Sequence, residues 1–280
     1  MATIFRYTLA GLRGQILGWG IALFVLGLLF VPLYDMTLER RTQMEEIFKS
    51  LPPAISAFFG DLSQMFEPAG YLDVRYFTLM PVVLGIFAVL AGSGLLASDE
   101  EKGLLDLVLA YPVSRSEVFL GRLAAFVVAT LAVLGLAWLG LVVPLNWSAL
   151  AVSPGELVLP FLSLLAVLLL YGTLALLLSM VLPARRLAGM TAGLVVVASY
   201  FIRALAVLDP KLEPLARVFP LDYYQGARAI HGLNVGWIAG LLAVAVVFAG
   251  LAWWRFERRD IRVAGEGSWR LTFWKPRKAS

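Results

Sequence analysis

The residues whose type and spacing come nearest to covalent chemistry are two adjacent carboxylates, Glu100 and Glu101. Such a pair serves hydrolysis inside a membrane when an arginine follows four residues later and histidines supply further groups. Here Leu105 stands at that place, and the single histidine, His231, lies far along the chain. The sequence has no cysteine, which removes thiolate nucleophiles, thiolate metal sites and disulfides. It also lacks the Gly-x-x-x-x-Gly-Lys-Ser/Thr loop that cradles nucleotide phosphates. No catalytic, cofactor-binding or metal-binding constellation is expected, so the chain is expected not to be an enzyme and the acidic pair needs another role.

The elements around that pair suggest one. Residues 97 to 122 read ASDEEKGLLDLVLAYPVSRSEVFLGR. Ser98 with Glu101 has the spacing of a capping box, and Asp99, Glu100 and Glu101 suit the positive end of a helix macrodipole. Leu104, Val108 and Tyr111 fall on one helical face, while Lys102 and Asp106, four apart, share a polar one. Pro112 biases Tyr111 away from helical geometry and ends the run. Ser114 with Glu117 then forms a second Ser-x-x-Glu box that opens another helix. The expectation is a short amphipathic helix over 99–111, parallel to a membrane surface. It serves either as a connector shielding helix ends or as a docking element whose polar tip meets a partner.

A membrane follows from composition. Of 280 residues 60% are apolar and 15% charged, with mean hydropathy +0.84, whereas a soluble domain carries about 25% charged residues. Stretches free of Asp, Glu, Lys and Arg run over 14–34, 76–98, 123–155, 157–184, 187–202 (extended past Arg203 to 208) and 229–254, and place spans at about 14–34, 76–98, 115–144, 157–182, 187–208 and 235–254. An all-α membrane protein of six helices, forming one transmembrane domain over 1–280, is therefore expected. The spans leave no room for a soluble catalytic domain. With both termini on the cytoplasmic side, the inner pieces carry 15 basic and 8 acidic residues and the outer pieces 7 basic and 11 acidic. The positive-inside rule favours that orientation and accounts for the pI near 9.4 without nucleic acid. The first apolar stretch is too long for a cleaved signal and lacks an Ala-x-Ala site, so it is expected to remain as an anchor.

The flanking segments complete the layout. Residues 1–14 put Phe5, Leu9, Leu12 and Ile16 on one stripe and Arg6 and Arg13 on another, as in an interfacial helix or a plain extension of the first span. The outer loop, 35–75, holds an amphipathic helix over 39–51, ended by Pro52 and Pro53, then a stripe of Ile55, Phe58, Phe59, Leu62, Met65 and Phe66. It acts as a lid over an exit path or as a cap that packs on the spans. Residues 209–234 combine prolines with Phe219, Tyr223 and Tyr224 and read as short broken helices at the outer surface. Arg203 lies near the outer boundary of its span, where it is expected to snorkel rather than hold substrate. Gly14 with Gly18, Gly85 with Gly92 and Gly236 with Gly240 have spacings suited to close helix packing. The basic tail, 255–280, is expected to anchor on the cytoplasmic side.

The string DEEKGLLDLVLAYPVSRSEVFLGR resembles the segment that recurs in permease subunits of type-2 ATP-binding cassette (ABC) transporters. There an acidic pair, a basic residue and a glycine precede a Leu-rich helix and Pro-Val/Leu-Ser-Arg. The matching residues are Glu100, Glu101, Lys102, Gly103, Leu104, Leu107, Leu109, Pro112, Val113, Ser114, Arg115 and Gly121. The resemblance implies a half-transporter in a prokaryotic cell membrane. Six spans, an amphipathic N-terminal helix and a coupling helix between spans two and three would pair with an identical or different permease subunit. Two copies of a separate cytoplasmic ABC ATPase would supply Mg-ATP hydrolysis, and most such proteins export. Asp99, Glu100, Glu101, Lys102, Gly103, Pro112, Ser114 and Arg115 are then the expected ATPase-coupling contacts. The alternative is an ATPase-independent secondary transporter or channel, which would be expected to show ionisable residues at mid-membrane or spans broken in paired halves.

Overall fold

A computed structural model describes residues 1–59, 61–110 and 113–258, with the backbone alone at 49, 106, 107 and 109. Helices run in chain order as α1 (Ala2–Glu39), α2 (Arg41–Ser50), α3 (Pro53–Phe59), α4 (Pro68–Leu72), α5 (Met80–Gly94), α6 (Ala97–Glu101), α7 (Leu104–Leu109), α8 (Arg115–Val142), α9 (Pro154–Val181), α10 (Arg185–Leu208), α11 (Glu213–Ala216) and α12 (Val235–Arg258). Short 3-10 turns join several of them, and no strand occurs among the described residues. Five helices, α1, α8, α9, α10 and α12, are long and apolar enough to cross a bilayer. Pro68–Phe77 and Met80–Gly94 together pass the same test and are bent by 40°, which makes up to six spans. The protein is an all-α integral membrane protein.

α9 is the hub of the bundle and packs on α5, α8, α10 and α12, while α1 lies along α8. Backbones approach closely where both sides are glycine. A Cβ on Gly27 would stand 2.6 Å from the Gly140 carbonyl carbon, and one on Gly92 would collide with the carbonyl oxygen of Gly172. Small-residue contacts of this kind replace the hydrophobic drive that lipid does not provide. Gly85 also packs tightly, against Val196, whereas Gly14, Gly18 and Gly240 have nothing within 4 Å and Gly236 meets only Asn234 nearby. The spacing rule thus selects one close pair of positions in the second span and misses Gly27, Gly140 and Gly172.

Two boundaries differ from the sequence reading. Residues 1–14 are not a separate interfacial helix, because α1 runs unbroken for 38 residues. That is about 57 Å at helical rise. Nothing near Arg13 and Gly14 stops it, and its first turns lean on α8, where Ile4 lies beside Gly121. The stripe is as read: Leu12 is buried, Phe5, Leu9 and Ile16 are half-buried, and Arg6 and Arg13 are exposed. The second span is not a straight helix over 76–98. Residues 73–77 form a π turn, with Thr78 N–H donating to Asp73 O, and Pro81 starts α5 after the bend. α5 alone is about 22 Å long, short of a hydrocarbon core of about 30 Å.

At the end of the bundle away from Asp99, the 35–75 loop is built into the core. α2 covers most of the helix expected at 39–51, and Leu51 is extended before Pro52 and Pro53. Leu62, Met65 and Phe66 of the second stripe are buried. Tyr71 donates to Phe30 O at 2.7 Å and Tyr34 to Phe66 O at 2.9 Å. Each of these aromatic hydroxyls entering an apolar core thus has an acceptor. The rings of Tyr34 and Tyr71 meet edge to face with centroids 5.0 Å apart. The tail beyond Arg258, with Trp269 and Trp274, lies outside the described residues.

Candidate functional site

The segment singled out by its charge pattern sits where the chain leaves α5 and enters α8. It is two short helices rather than one. α6 ends at Glu101, Lys102 and Gly103 make a turn, and α7 follows. Gly103 takes a φ of 66°. This left-handed conformation costs glycine little and other residues more. Ser98 does not cap a helix, because the chain is already turning at Leu96, whose carbonyl accepts the N–H groups of Asp99 and Glu100. Lys102 and Asp106 consequently do not share one helix. The Ser114 box does form: Ser114 Oγ accepts from Glu117 N at 3.1 Å, and Glu117 Oε2 accepts from Ser114 N at 3.1 Å.

The expected coupling residues divide by direction. Asp99 faces inward and pairs with Arg122 of α8 at 2.8 Å, with side chains 16% and 4% exposed. Arg122 also donates through Nη1 to Leu95 O. Glu100 is buried. Glu101 is exposed, and its Oε1 accepts from the backbone N–H of Arg185 at 3.2 Å, at the first residue of α10. A carboxylate there is favoured by the unpaired N–H groups of a helix start. Lys102 is exposed and Gly103 half-buried. Ser114 is exposed, with Arg115 half-buried. Arg115 Nη1 donates to Phe256 O at 3.2 Å and Glu257 O at 3.4 Å, which ties the start of α8 to the end of α12. Pro112 and Tyr111 lie outside the described residues, as does the side chain of Asp106.

The result is a short helix on a braced base. α7 buries Leu105, exposes Leu104 and half-buries Val108 against the bundle. Asp99 ties the base to α8, Glu101 ties it to α10, and Arg115 ties its far end to α12. Ser116 adds to that last joint by donating to Glu257 Oε1 at 2.6 Å and accepting from Trp253 Nε1 at 3.0 Å. These contacts join the segment to three long helices, α8, α10 and α12. No cluster of three or more metal-ligating side chains occurs among the described residues.

Sequence reasoning misses the partners. In the sequence Arg122 is only one more inner-side cation, yet among the described residues it is the most buried charge at this end. The available signal is a lone cation in the apolar run Phe119–Phe126, preceded by the acidic residues 99–101. Arg185 likewise reads as part of a positive turn, whereas its N–H receives Glu101.

No curated protein matches the sequence. A family model described as ABC-2 family transporter protein matches residues 15–261. That match takes in α1 from residue 15, the whole of α8, α9, α10 and α12, and the braced segment between α5 and α8, so the chain belongs to the ABC-2 family of transporter proteins and is similar to a permease subunit of a type-2 ABC transporter.

Proposed function

We propose that this chain is the membrane-spanning subunit of an ATP-driven exporter and that residues 99–115 receive the stroke of a separate ABC ATPase. ABC-2 membrane proteins work with ABC ATPase subunits. The observation that carries the reading is the join of an exposed tip to braced roots. Lys102 stands exposed between α6 and α7, while Asp99, Glu101 and Arg115 on either side are bonded to α8, α10 and α12. Closure of an ATPase pair against the tip would shift those helices together and alternate access across the bundle.

In this reading both termini are cytoplasmic, two permease subunits pair as a homo- or heterodimer in a prokaryotic cell membrane, and each holds one ATPase copy that binds Mg-ATP. The positive-inside balance supports the orientation. Asp99 and Glu100 act in the brace rather than at the ATPase surface, and Glu101, Lys102 and Leu104 form that surface.

Purification of the tagged full chain from its native host in mild detergent, with mass spectrometry and an ATP hydrolysis assay, tests the assignment. A phosphate-loop ATPase recovered in near equal amount is the expected result. A chain that emerges alone, where a control ABC complex stays whole, overturns it and leaves transport without an ATPase.

A further inference from the structure

At the end of the bundle opposite Asp99 the protein encloses a cleft of about 420 Å³ beneath α3. This lies within the range of about 300–1,000 Å³ common to small-molecule sites. Its walls come from α3, the bent segment before α5, α10 and the turns at 221–231. Arg203 and Arg228 both line it. The snorkelling expected of Arg203 is not what occurs, since its guanidinium turns inward and Nη1 donates to Leu221 O at 2.7 Å.

Three carboxylates, Asp61, Glu67 and Asp73, line the same cleft, with Tyr224, Gln225 and His231 beside them. Asp61 accepts from Ser63 and Gln64, Asp73 Oδ1 accepts from Ala227 N at 2.8 Å, and Gln225 exchanges two bonds with Asn234. Tyr224 donates to Phe77 O at 3.1 Å. Among the described residues neither Arg203 nor Arg228 has a carboxylate within 4.0 Å. Arg203 spends one donor on Leu221 O, and the remaining N–H groups of the two planar forks suit carboxylate or phosphate. Ala204, Val207 and Phe58 give the same cleft an apolar side.

We infer that this cleft binds a ligand through an oxyanion, carboxylate or phosphate, held by Arg203 and Arg228. The oxyanion belongs either to a free small molecule or to a lipid head group, and α3 forms the roof. Arg203 supplies the inner contact and the exposed Arg228 the contact near the rim. The inference goes beyond ATPase coupling and is tested without ATP.

The test uses the full chain in phosphatidylcholine nanodiscs, titrated with inorganic phosphate and followed by its thermal midpoint. A parallel preparation containing phosphatidylglycerol is washed with detergent and its retained lipid measured by mass spectrometry. Phosphate that raises the midpoint of the wild type and binds at least about tenfold more weakly to Arg228→Gln and Arg203→Lys assigns a free anion. Phosphatidylglycerol retained by the wild type and lost by both variants assigns a head group. Arg228 is exposed and Arg203→Lys keeps the charge, so both variants should fold. Failure of the wild type to hold either probe, or equal binding by both variants, overturns the site, whether or not an ATPase co-purifies.

Discussion

Asp99 and Arg122 form a 2.8 Å ion pair between the connection after α5 and the second turn of α8, and Arg122 is the more deeply buried partner. The asymmetry sets a direction. Removing one member of a buried pair strands the other, at about 3–5 kcal/mol. Asp99→Asn strands a guanidinium that water barely reaches, whereas Arg122→Leu leaves a carboxylate near the surface. Asp99→Asn is expected to be the more destabilising change in detergent melts followed by size-exclusion chromatography. The reverse order would show that the pair does not brace the segment.

Lys102 offers a test of docking that spares the fold, since it is exposed in a turn and no ion pair to it occurs among the described residues. Lys102→Glu is expected to reduce ATPase co-purification about tenfold by reversing the charge of the tip, with membrane insertion and melting unchanged. Glu100→Lys is a poorer probe, because Glu100 is buried and a lysine there should lower stability as well. Full ATPase recovery with Lys102→Glu would remove this residue from the interface.

Gly140 faces Phe24 and Gly27 across the α1–α8 contact, where an added Cβ would collide with Phe24 O and stand 2.6 Å from Phe24 Cα. Backbone cannot yield as a flexible side chain would, so Gly140→Ala is expected to cost about 1–3 kcal/mol. Gly240→Ala meets nothing within 4 Å. That change should leave the single subunit neutral or stabilised by up to about 1 kcal/mol. Chemical denaturation of the two variants side by side decides the point.

Tyr200 of α10 holds α3 in place by donating to Phe58 O, and Phe58 also meets Phe201 edge to face at 5.6 Å. Tyr200→Phe removes the bond and keeps the ring. The expected outcome is faster proteolysis at residues 50–60 without loss of the long helices. Unchanged cleavage would mean that the aromatic contacts alone fix the roof of the cleft.

Much of the architecture is legible because bilayer crossing is a one-dimensional demand. Runs free of charge locate every long helix, Pro52 and Pro53 mark a stop, and Ser114 with Glu117 announces the start of α8, since a local cap needs only its own neighbours. Continuity is less legible. Whether Ala2–Gly14 joins the first span depends on α8 offering a surface beside Ile4, and Ser98 loses its capping role because the chain upstream is already turning.

Partnership is not legible at all. The sequence by itself determined the membrane class, the places of the long helices and the acidic segment that resembles a coupling element, because periodicity and composition act through local burial and solvation. Only the tertiary structure decided that Asp99 meets Arg122, that Glu101 caps α10, that Gly27 meets Gly140 and that Arg203 turns into a cleft with Arg228. Each of these joins residues distant in sequence, and a helical pattern specifies which face is buried but not which helix covers it.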